Sequence, residues 1–359
     1  MTGSNGRRAS MTGRERMLAA LKRSDVDRRP VGNVVSAATY GQMRRTGYSF
    51  PEAHYDVDAI VGLAELSYTE LGFDTVMPYF GLVSGAAALG AEIDWGEDPW
   101  IEPESEHELL TGPRMPGCRQ PALWSSPEQI EIPNDFLDRP PSKAIIDSVR
   151  ELRRRHPDAC VVGKVMGPWT LSYHMFGVQD FLINILLDPD YVHACLTGLQ
   201  DVSVMFANAQ FEAGADVVTL ADHATGDLVR AESYRDFLLP VHKQITPRID
   251  GPVVFHCCGN TLDRFEHLTQ AGFAAFHFAN ENEPNAAREA AGEFPLVGNV
   301  ANVSSLMNGT IADVRSEVER VYAAGIDVIS PECAVPMQAP DENLRAIVET
   351  VENLAAAEL

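Results

Sequence analysis

The sequence lacks several features that would define its class at once. It has no apolar run of about 18 or more residues, which a membrane-spanning helix requires. Basic residues are scarce, since 28 Lys and Arg stand against 51 Asp and Glu, for a formal net charge of −23. Because nucleic acids and anionic membranes bind basic protein surfaces, this balance argues against both as partners. It favours a small molecule or another protein.

Cysteine is also infrequent, with six residues in a chain of 359. The first eleven residues are polar and basic, and no apolar segment typical of a secretory signal follows them. We therefore expect residues 1–11 to be a disordered tail, the protein to be cytoplasmic and its cysteines to be reduced. Gly-x-Gly-x-x-Gly, Walker and Gly-x-Ser-x-Gly motifs are absent, so nothing supports a nucleotide cofactor or serine hydrolysis.

From Pro30 onward, short apolar and β-branched runs alternate with amphipathic helical segments, which is typical of parallel α/β proteins. Eight runs are candidate strands: residues 31–36, 73–79, 159–166, 216–222, 252–258, 274–278, 295–300 and 327–330. Eight strands favour a closed (β/α)8 TIM barrel, with a doubly wound open sheet as the alternative. Glycines that can end the intervening helices stand at Gly72, Gly214, Gly272 and Gly325.

Two further segments frame the predicted barrel. The Thr12–Glu15 segment has a capping-box pattern, which predicts a short helix ahead of the first strand. Residues 80–142 are rich in Pro, Gly and Glu, and we expect this excursion after the second strand to fold over the barrel mouth. Because no repeat or low-complexity linker divides the chain, residues 12–359 are predicted to form one catalytic domain.

The most informative motif is at the end of the run 252–258, which contains His256, Cys257 and Cys258. Another thiol, Cys333, follows the last predicted strand. Active sites of (β/α)8 barrels are built at the carboxyl ends of the strands, so these side chains are expected at one mouth. An imidazole and two thiolates suit Zn2+ and leave a fourth position open for water or substrate.

We therefore predict His256, Cys258 and Cys333 as metal ligands. The alternative is that the cysteines are small buried apolar residues and that His256 is a hydrogen-bonded core imidazole. Since side chains alternate along a strand, His256 and Cys258 face the same side, and Cys257 is expected to face the surrounding helices. Lys164, a charge in an apolar strand, either faces an anionic substrate group or extends to the barrel surface.

Other polar residues stand at predicted strand ends. Asp222 is the candidate catalytic residue, as a fourth ligand, a general base or a partner that orients His256. Capping of the following turn is the alternative for this carboxylate. Asn280, Asn299 and Ser330 are candidate substrate-binding residues, with simple loop hydrogen bonding as the alternative.

The sequence resembles the methylcobamide:coenzyme M methyltransferases, a branch of the uroporphyrinogen decarboxylase superfamily. The most specific part of the resemblance is the His256–Thr261 segment together with the distant Cys333. Segments shared across the superfamily are Arg14–Leu21, Asp27–Pro30, Pro51–His54, Gly167–Leu171, Gly226–Leu228 and Val297–Asn299. The sequence departs from the family at Cys257, an extra thiol, and at His223, where a proline often follows the acid, and this leaves the fourth ligand open.

By this resemblance the chain would be a uroporphyrinogen decarboxylase-like barrel whose zinc binds a small thiol such as coenzyme M. The thiol would receive a methyl group from methylcobalamin on a separate corrinoid protein. His256, Cys258 and Cys333 match the family's ligand positions, and Asp222 lies near its strand-end acidic residue. Because free thiols are mostly protonated at neutral pH, a metal cation would stabilise the nucleophilic thiolate.

Three other functions are compatible with these residues. Uroporphyrinogen decarboxylase shares the fold without a metal, but its arginine-rich substrate motif is not evident, since residues 35–40 occupy its place. A cobalamin-independent methionine synthase has a similar zinc barrel but normally carries a second barrel. The third alternative is a non-catalytic, zinc-containing module that binds a thiol or a corrinoid protein.

Overall fold

The computed structural model describes residues 10–97 and 115–358. Its strands are β1 (Thr75–Val76), β2 (Ile93–Asp94), β3 (Gly117–Cys118), β4 (Cys160–Met166), β5 (Val217–Ala221), β6 (Val253–Cys257), β7 (Ala275–Phe278), β8 (Leu296–Val300) and β9 (Val328–Pro331). Seven of them form a parallel sheet in the order β1-β4-β5-β6-β7-β8-β9. The other two, β2 and β3, pair antiparallel outside it.

The two edges of the seven-stranded sheet are joined by the chain around Val31. Val31 forms a parallel bridge to Ile329 in β9. On its other side, the Val31 carbonyl accepts a hydrogen bond of 2.6 Å from the backbone N–H of Asp74, which directly precedes β1. This segment occupies the eighth strand position, so the predicted (β/α)8 barrel is confirmed. Each of the eight predicted strands has its counterpart in the barrel.

The first predicted strand, residues 31–36, is correct in place but too long. Only one of its residues forms a β-bridge. Beyond it, the Thr75 hydroxyl replaces the backbone ladder, because it accepts from Asn33 N at 2.9 Å and donates to Asn33 O at 3.1 Å. Side-chain bonds of this kind satisfy the backbone without strand pairing.

Helices fill the connections and surround the barrel. The α-helices are Gly13–Ala20, Tyr40–Thr46, Val57–Ala64, Leu66–Thr69, Ser84–Leu89, Pro140–Arg155, Pro168–Phe176, Val178–Leu187, Pro189–Ala213, Ala231–Ser233, Leu239–Ile245, Phe265–Leu268, Pro284–Ala291, Ile311–Ala323 and Asp341–Ala357. The segments Tyr234–Leu238 and Asn302–Met307 are π-helical. Among the described residues, no helix combines the length and apolar character needed to cross a bilayer.

Local sequence signals set several of these boundaries. Thr12 and Glu15 form the predicted capping box at the start of the first helix. Gly214 ends the helix Pro189–Ala213 with a φ of 115°, a left-handed conformation that lets the chain turn directly into β5. The other three predicted helix-ending glycines also have positive φ.

Met11, the last residue of the predicted disordered tail (residues 1–11), is hydrogen-bonded to the following part of the chain. Met11 donates its N–H to the Asp27 carboxylate at 2.9 Å, and its carbonyl accepts from Arg16 at 2.6 Å. These bonds tie Met11 to the first helix and its following loop. Residues 1–9 of the predicted tail lie outside the described residues.

The predicted excursion, residues 80–142, is partly described, and its residues 98–114 lie outside the described ranges. Its remainder contains the β2–β3 pair and Trp124. The Trp124 ring lies 5.7 Å from that of Phe176, and its backbone N–H donates to the Met175 carbonyl. This part of the excursion therefore packs on the helix that follows β4, at the carboxyl end of the barrel.

Side-chain alternation in β6 separates the barrel interior from the helical layer. Phe255 stacks on Phe273, with ring centroids 4.8 Å apart, on the helical side. His256, the next residue, faces the interior, and its neighbours across the sheet are Ala221 in β5 and His277 in β7. The upper interior of the barrel is therefore where the polar side chains of β6 and β7 meet.

Candidate metal centre

Three side chains from two distant parts of the chain meet at the barrel mouth. The Cys258 Sγ lies 3.1 Å from His256 Nε2 and 3.2 Å from Cys333 Sγ. The Cys333 Sγ lies 3.6 Å from His256 Nε2. All three potential ligand atoms lie within 4.8 Å of one another. The structure thus brings together the residues that the sequence predicts as metal ligands.

The barrel topology explains this convergence. His256 is the next-to-last residue of β6, and Cys258 follows that strand directly. Cys333 stands two residues after β9. Since all barrel strands are parallel, their carboxyl ends open at the same mouth. His256 is buried, whereas both cysteines are half-buried. One side of the cluster is therefore covered by protein, and the other side is partly accessible to solvent.

His256 is oriented by a neighbour that the motif did not include. Its Nδ1 lies 3.3 Å from the backbone carbonyl of His277, which leaves Nε2 directed at the two sulfurs. The two imidazole rings are 4.7 Å apart. A hydrogen bond from one ring nitrogen to a carbonyl is the usual way in which a metal-binding histidine is held in one tautomer. The arrangement therefore prepares Nε2 to act as a ligand.

His277 itself is a buried, neutral side chain. Burial lowers the pKa of His277 to about 3. Its Nε2 lies 2.8 Å from the Pro331 carbonyl, at the end of β9. This contact joins the end of β9, two residues before Cys333, to the strand beside His256. The signal in the sequence was a single polar residue in the apolar run Ala275–Phe278, the same kind of signal that Lys164 gave.

Cys333 differs electrostatically from Cys257, the third thiol nearby. The hydrogen bond from the Cys258 thiol holds the pKa of Cys333 well below its usual range, because it stabilises the Cys333 thiolate against the cost of burial. Burial raises the pKa of Cys257 to about 12, so it remains a neutral thiol. Cys257 is 2% exposed and stands on the opposite side of β6. It is not part of the cluster.

Asp222 is not brought into the cluster. It follows Ala221, whose side chain shares the interior face with His256, so the Asp222 side chain faces the helical layer. There its Oδ1 accepts from Thr170 N at 2.7 Å, and its Oδ2 lies 3.0 Å from His242 Nε2. The Asp222 side chain is fully buried. The expectation that this carboxylate reaches the mouth is therefore wrong, and one link to the site remains, since its backbone N–H donates to His256 O.

The three predicted substrate-binding residues also have protein partners. Asn299 and Ser330 are fully buried, and the Ser330 hydroxyl donates to the Pro331 carbonyl at 2.8 Å. The Asn299 amide donates to the carbonyls of Ala279 and Asn282. The structure does not expose either side chain to the mouth. These bonds are of the kind that the alternative, loop hydrogen bonding, predicts, but the Asn299 Oδ1 is buried without a hydrogen-bond partner, and a role of either residue in substrate binding stays a prediction.

Asn280 is half-buried, and its hydrogen-bond partners are two glutamates, Glu317 and Glu332. Its side-chain amide donates to Glu317 at 3.2 Å, and its backbone N–H donates to Glu332 at 2.7 Å. Glu332 also accepts from Asn302 N, at 2.7 Å. The sequence analysis did not identify Glu332, the residue that precedes Cys333. Its carboxylate joins the loops that follow β7 and β8.

The donor set fits a bound metal ion. Two sulfurs and one nitrogen converge from rigid strand ends, and the fourth side of the cluster is not filled by Asp222, the candidate fourth ligand. Such a set is typical of catalytic rather than structural zinc sites, which are closed by four protein ligands. Cys333, as a thiolate, also provides anionic charge of the kind that a dication requires.

Comparisons with known proteins place this geometry in context. Residues 12–354 match the family profile described as uroporphyrinogen decarboxylase (URO-D). The methylated-thiol–coenzyme M methyltransferase of Methanosarcina mazei is 27% identical over 342 residues, which cover 95% of this chain and 89% of the relative. A methylcobamide:CoM methyltransferase of the same organism is 28% identical over 347 residues, covering 95% and 98%. A uroporphyrinogen decarboxylase of Coxiella burnetii is 29% identical over 361 residues, covering 95% of each chain.

Solved structures show the same architecture. A methyltransferase from Methanosarcina mazei superposes with a TM-score of 0.89 at 27% identity, covering 96% of this chain and 99% of the other. A B12-independent methionine synthase from Shewanella superposes with a TM-score of 0.61 at 12% identity, covering 92% and 99%, which is a likeness of fold alone. The predicted resemblance to the methylcobamide:coenzyme M methyltransferases is thereby confirmed.

Proposed function

Because the chain belongs to the uroporphyrinogen decarboxylase family, and its relatives include methylcobamide:CoM methyltransferases, we propose that it is a methyltransferase. Its methyl donor is a methylated corrinoid carried by a partner protein, and its acceptor is a small thiol such as coenzyme M. Zinc is held by His256, Cys258 and Cys333. The observation that carries the proposal is the convergence of these three ligand atoms within 4.8 Å at the barrel mouth.

Each residue of the cluster has a distinct part in this function. Zinc, when bound, lowers the pKa of an incoming thiol and so supplies the thiolate that attacks the methyl group. Cys258 and Cys333 bind the metal as thiolates and border the open side, through which the substrate thiol arrives. His256 binds through Nε2, and the His277 carbonyl keeps its Nδ1 protonated.

The transfer itself requires no further acid or base from the chain. The substrate thiol releases its proton to water at the open mouth before transfer, and its sulfur then forms a bond to the methyl carbon. The carbon–cobalt bond breaks as the sulfur–carbon bond forms, and its electron pair stays on cobalt. The chain orients the thiolate toward the mouth, where a corrinoid on another protein can approach. Asp222 contributes by holding the end of β5 against β6, through its backbone bond to His256.

A panel of thiols incubated with methylcobalamin tests the proposal. We expect zinc-loaded protein to convert methylcobalamin to the demethylated corrinoid, with formation of the methyl thioether, and coenzyme M is the first thiol to try. Prior removal of zinc with a chelator should abolish the reaction, and added zinc should restore it. Wild-type protein that retains zinc but methylates no thiol would contradict the proposal and favour a non-catalytic binding module.

A further inference from the structure

A lysine, Lys164, lies inside the barrel, one residue layer below the candidate metal centre. Lys164 in β4 pairs with Thr219 in β5, which pairs with Val254 in β6. Val254 precedes His256 by two residues, so both face the interior, about 7 Å apart along the strand. Lys164 is 1% exposed. The predicted alternative, in which its head extends to the barrel surface, is therefore wrong.

The ammonium group reaches the same loop that supports Cys333. Lys164 Nζ donates to the Val35 carbonyl at 3.3 Å, after crossing the interior from β4. In this loop, the Asn33 side chain donates to the Cys333 carbonyl at 3.2 Å. Lys164 and Cys333 are thus both hydrogen-bonded to one short segment, residues 33–36.

The surroundings of Lys164 contain no carboxylate partner among the described residues. Its Nζ lies 4.8 Å from the centre of the Tyr79 ring, and His54 is the nearby titratable side chain on another element. Burial lowers the pKa of Lys164 to about 7, and the sulfur groups of Cys333 and Cys258 are the charges that oppose this shift. The strand register places the thiols of the candidate metal centre one layer above this ammonium group, on the same interior side of the sheet.

The net charge of the proposed zinc site changes when a substrate thiolate binds, and a nearby cation would offset this change. A zinc dication with two cysteine thiolates and a neutral histidine is electrically neutral. Arrival of a third thiolate, that of the substrate, leaves one excess negative charge in a largely buried site, and an uncompensated buried charge is unfavourable. Methyl transfer converts this thiolate to a neutral thioether and removes the excess.

We propose that Lys164 is a positioning residue that stabilises the bound substrate thiolate through space, by supplying the positive charge that offsets the third thiolate. This inference rests on the proposed function. A cation near the centre favours the binding of an incoming anion but opposes the binding of the zinc dication itself. Loss of the charge should therefore weaken thiol binding without weakening zinc binding.

The test uses the Lys164→Met and Lys164→Arg variants, with the exposed Lys143→Met as the matched control. Thiol affinity is measured by titrating cobalt(II)-substituted protein and following the sulfur-to-cobalt charge-transfer band. We expect Lys164→Met to bind thiols about 10- to 100-fold more weakly, as for unit charges several ångströms apart in a protein interior. Zinc affinity should be unchanged or higher. Lys164→Arg should recover most of the thiol affinity, and Lys143→Met should match the wild type.

Several results would overturn the inference. Equal thiol affinity in Lys164→Met and wild type would do so, as would a parallel loss of zinc. A loss confined to 2-mercaptoethanesulfonate, with 2-mercaptoethanol unaffected, would instead place Lys164 on the anionic group of the substrate. If Lys164→Met does not fold, Lys164→Gln, which keeps a donor for the Val35 carbonyl, provides the same comparison. A wild type that binds no thiol at its metal contradicts the proposed function as a whole, an outcome distinct from all of these.

Discussion

Replacement of Cys258 or Cys333 by alanine is expected to abolish thiol methylation. Each substitution removes one of three candidate ligands, and even residues that only orient ligands typically contribute 10- to 100-fold to metal affinity. Zinc affinity should therefore fall by more than about 100-fold in either variant. The measurements are zinc content after dialysis against a competing chelator and the rate of methylcobalamin demethylation with a thiol.

The adjacent Cys257 provides a matched control for this experiment. It is one residue from Cys258 but faces the helical layer, and its pKa of about 12 keeps it protonated. Cys257→Ala should retain both zinc and activity, with a loss of about 1 kcal/mol in the free energy of unfolding. The reverse pattern, with zinc lost from Cys257→Ala and kept by Cys258→Ala, would show that the chain leaves the strand before Cys257.

Asp222→Ala is expected to destabilise the protein strongly. It leaves the N–H of Thr170 and the buried imidazole of His242 without their partner, and each unsatisfied buried group costs about 1–3 kcal/mol. His242 also bonds to the Tyr234 hydroxyl, at 3.0 Å, so a buried chain of three polar side chains is interrupted. We expect a loss of about 3 kcal/mol or more in the free energy of unfolding, measured by denaturant titration.

Asp222→Asn separates this structural role from a chemical one. The asparagine oxygen can still accept from Thr170, and its amide can donate to His242 in the other tautomer. Zinc content and methylation rate per folded molecule should stay close to those of the wild type. If this variant folds and binds zinc but transfers no methyl group, Asp222 acts in the reaction as a base or ligand, and its orientation away from the centre does not describe the active state.

Much of the fold was readable from the sequence because local and long-range signals agree. The eight apolar runs, the Thr12 capping box and the glycines that end the helices all have their predicted counterparts. The metal candidates could be placed because His256, Cys258 and Cys333 stand at strand ends, and parallel strands in a barrel share one mouth. Alternation along β6 was sufficient to separate Cys257 from its neighbours.

The direction of the other strand-end side chains could not be read in this way. Asp222 follows β5 by one residue, so its orientation depends on where that strand ends, which sequence patterns define only to within a few residues. The partner that fixes it, His242, lies 20 residues later in a helix. Asn299 likewise finds its partners 17 and 20 residues earlier, in the loop after β7. Long-range hydrogen bonds of this kind leave no periodic signal in the sequence.

Lys164 and His277 show a second reason why the sequence alone could not predict the whole site. Both are single polar residues in apolar strands, and a strand pattern shows that such a residue is unusual without showing which side it faces. The register of neighbouring strands places both inside the barrel, near the same centre. Polar residues inside a barrel are costly to bury, so their joint position below and beside three candidate ligands is consistent with a role in the site.

The most direct test of the account is the X-ray absorption spectrum of the zinc protein, recorded with and without a thiol. Protein prepared without chelators should contain about one zinc per chain. Without thiol, its zinc should have two sulfur neighbours from Cys258 and Cys333, one nitrogen from His256 and one lighter, exchangeable neighbour. Addition of a substrate thiol should replace that neighbour by a third sulfur. Absence of zinc, or a ligand shell that no thiol changes, would contradict the central claim that this barrel activates a thiol at its mouth.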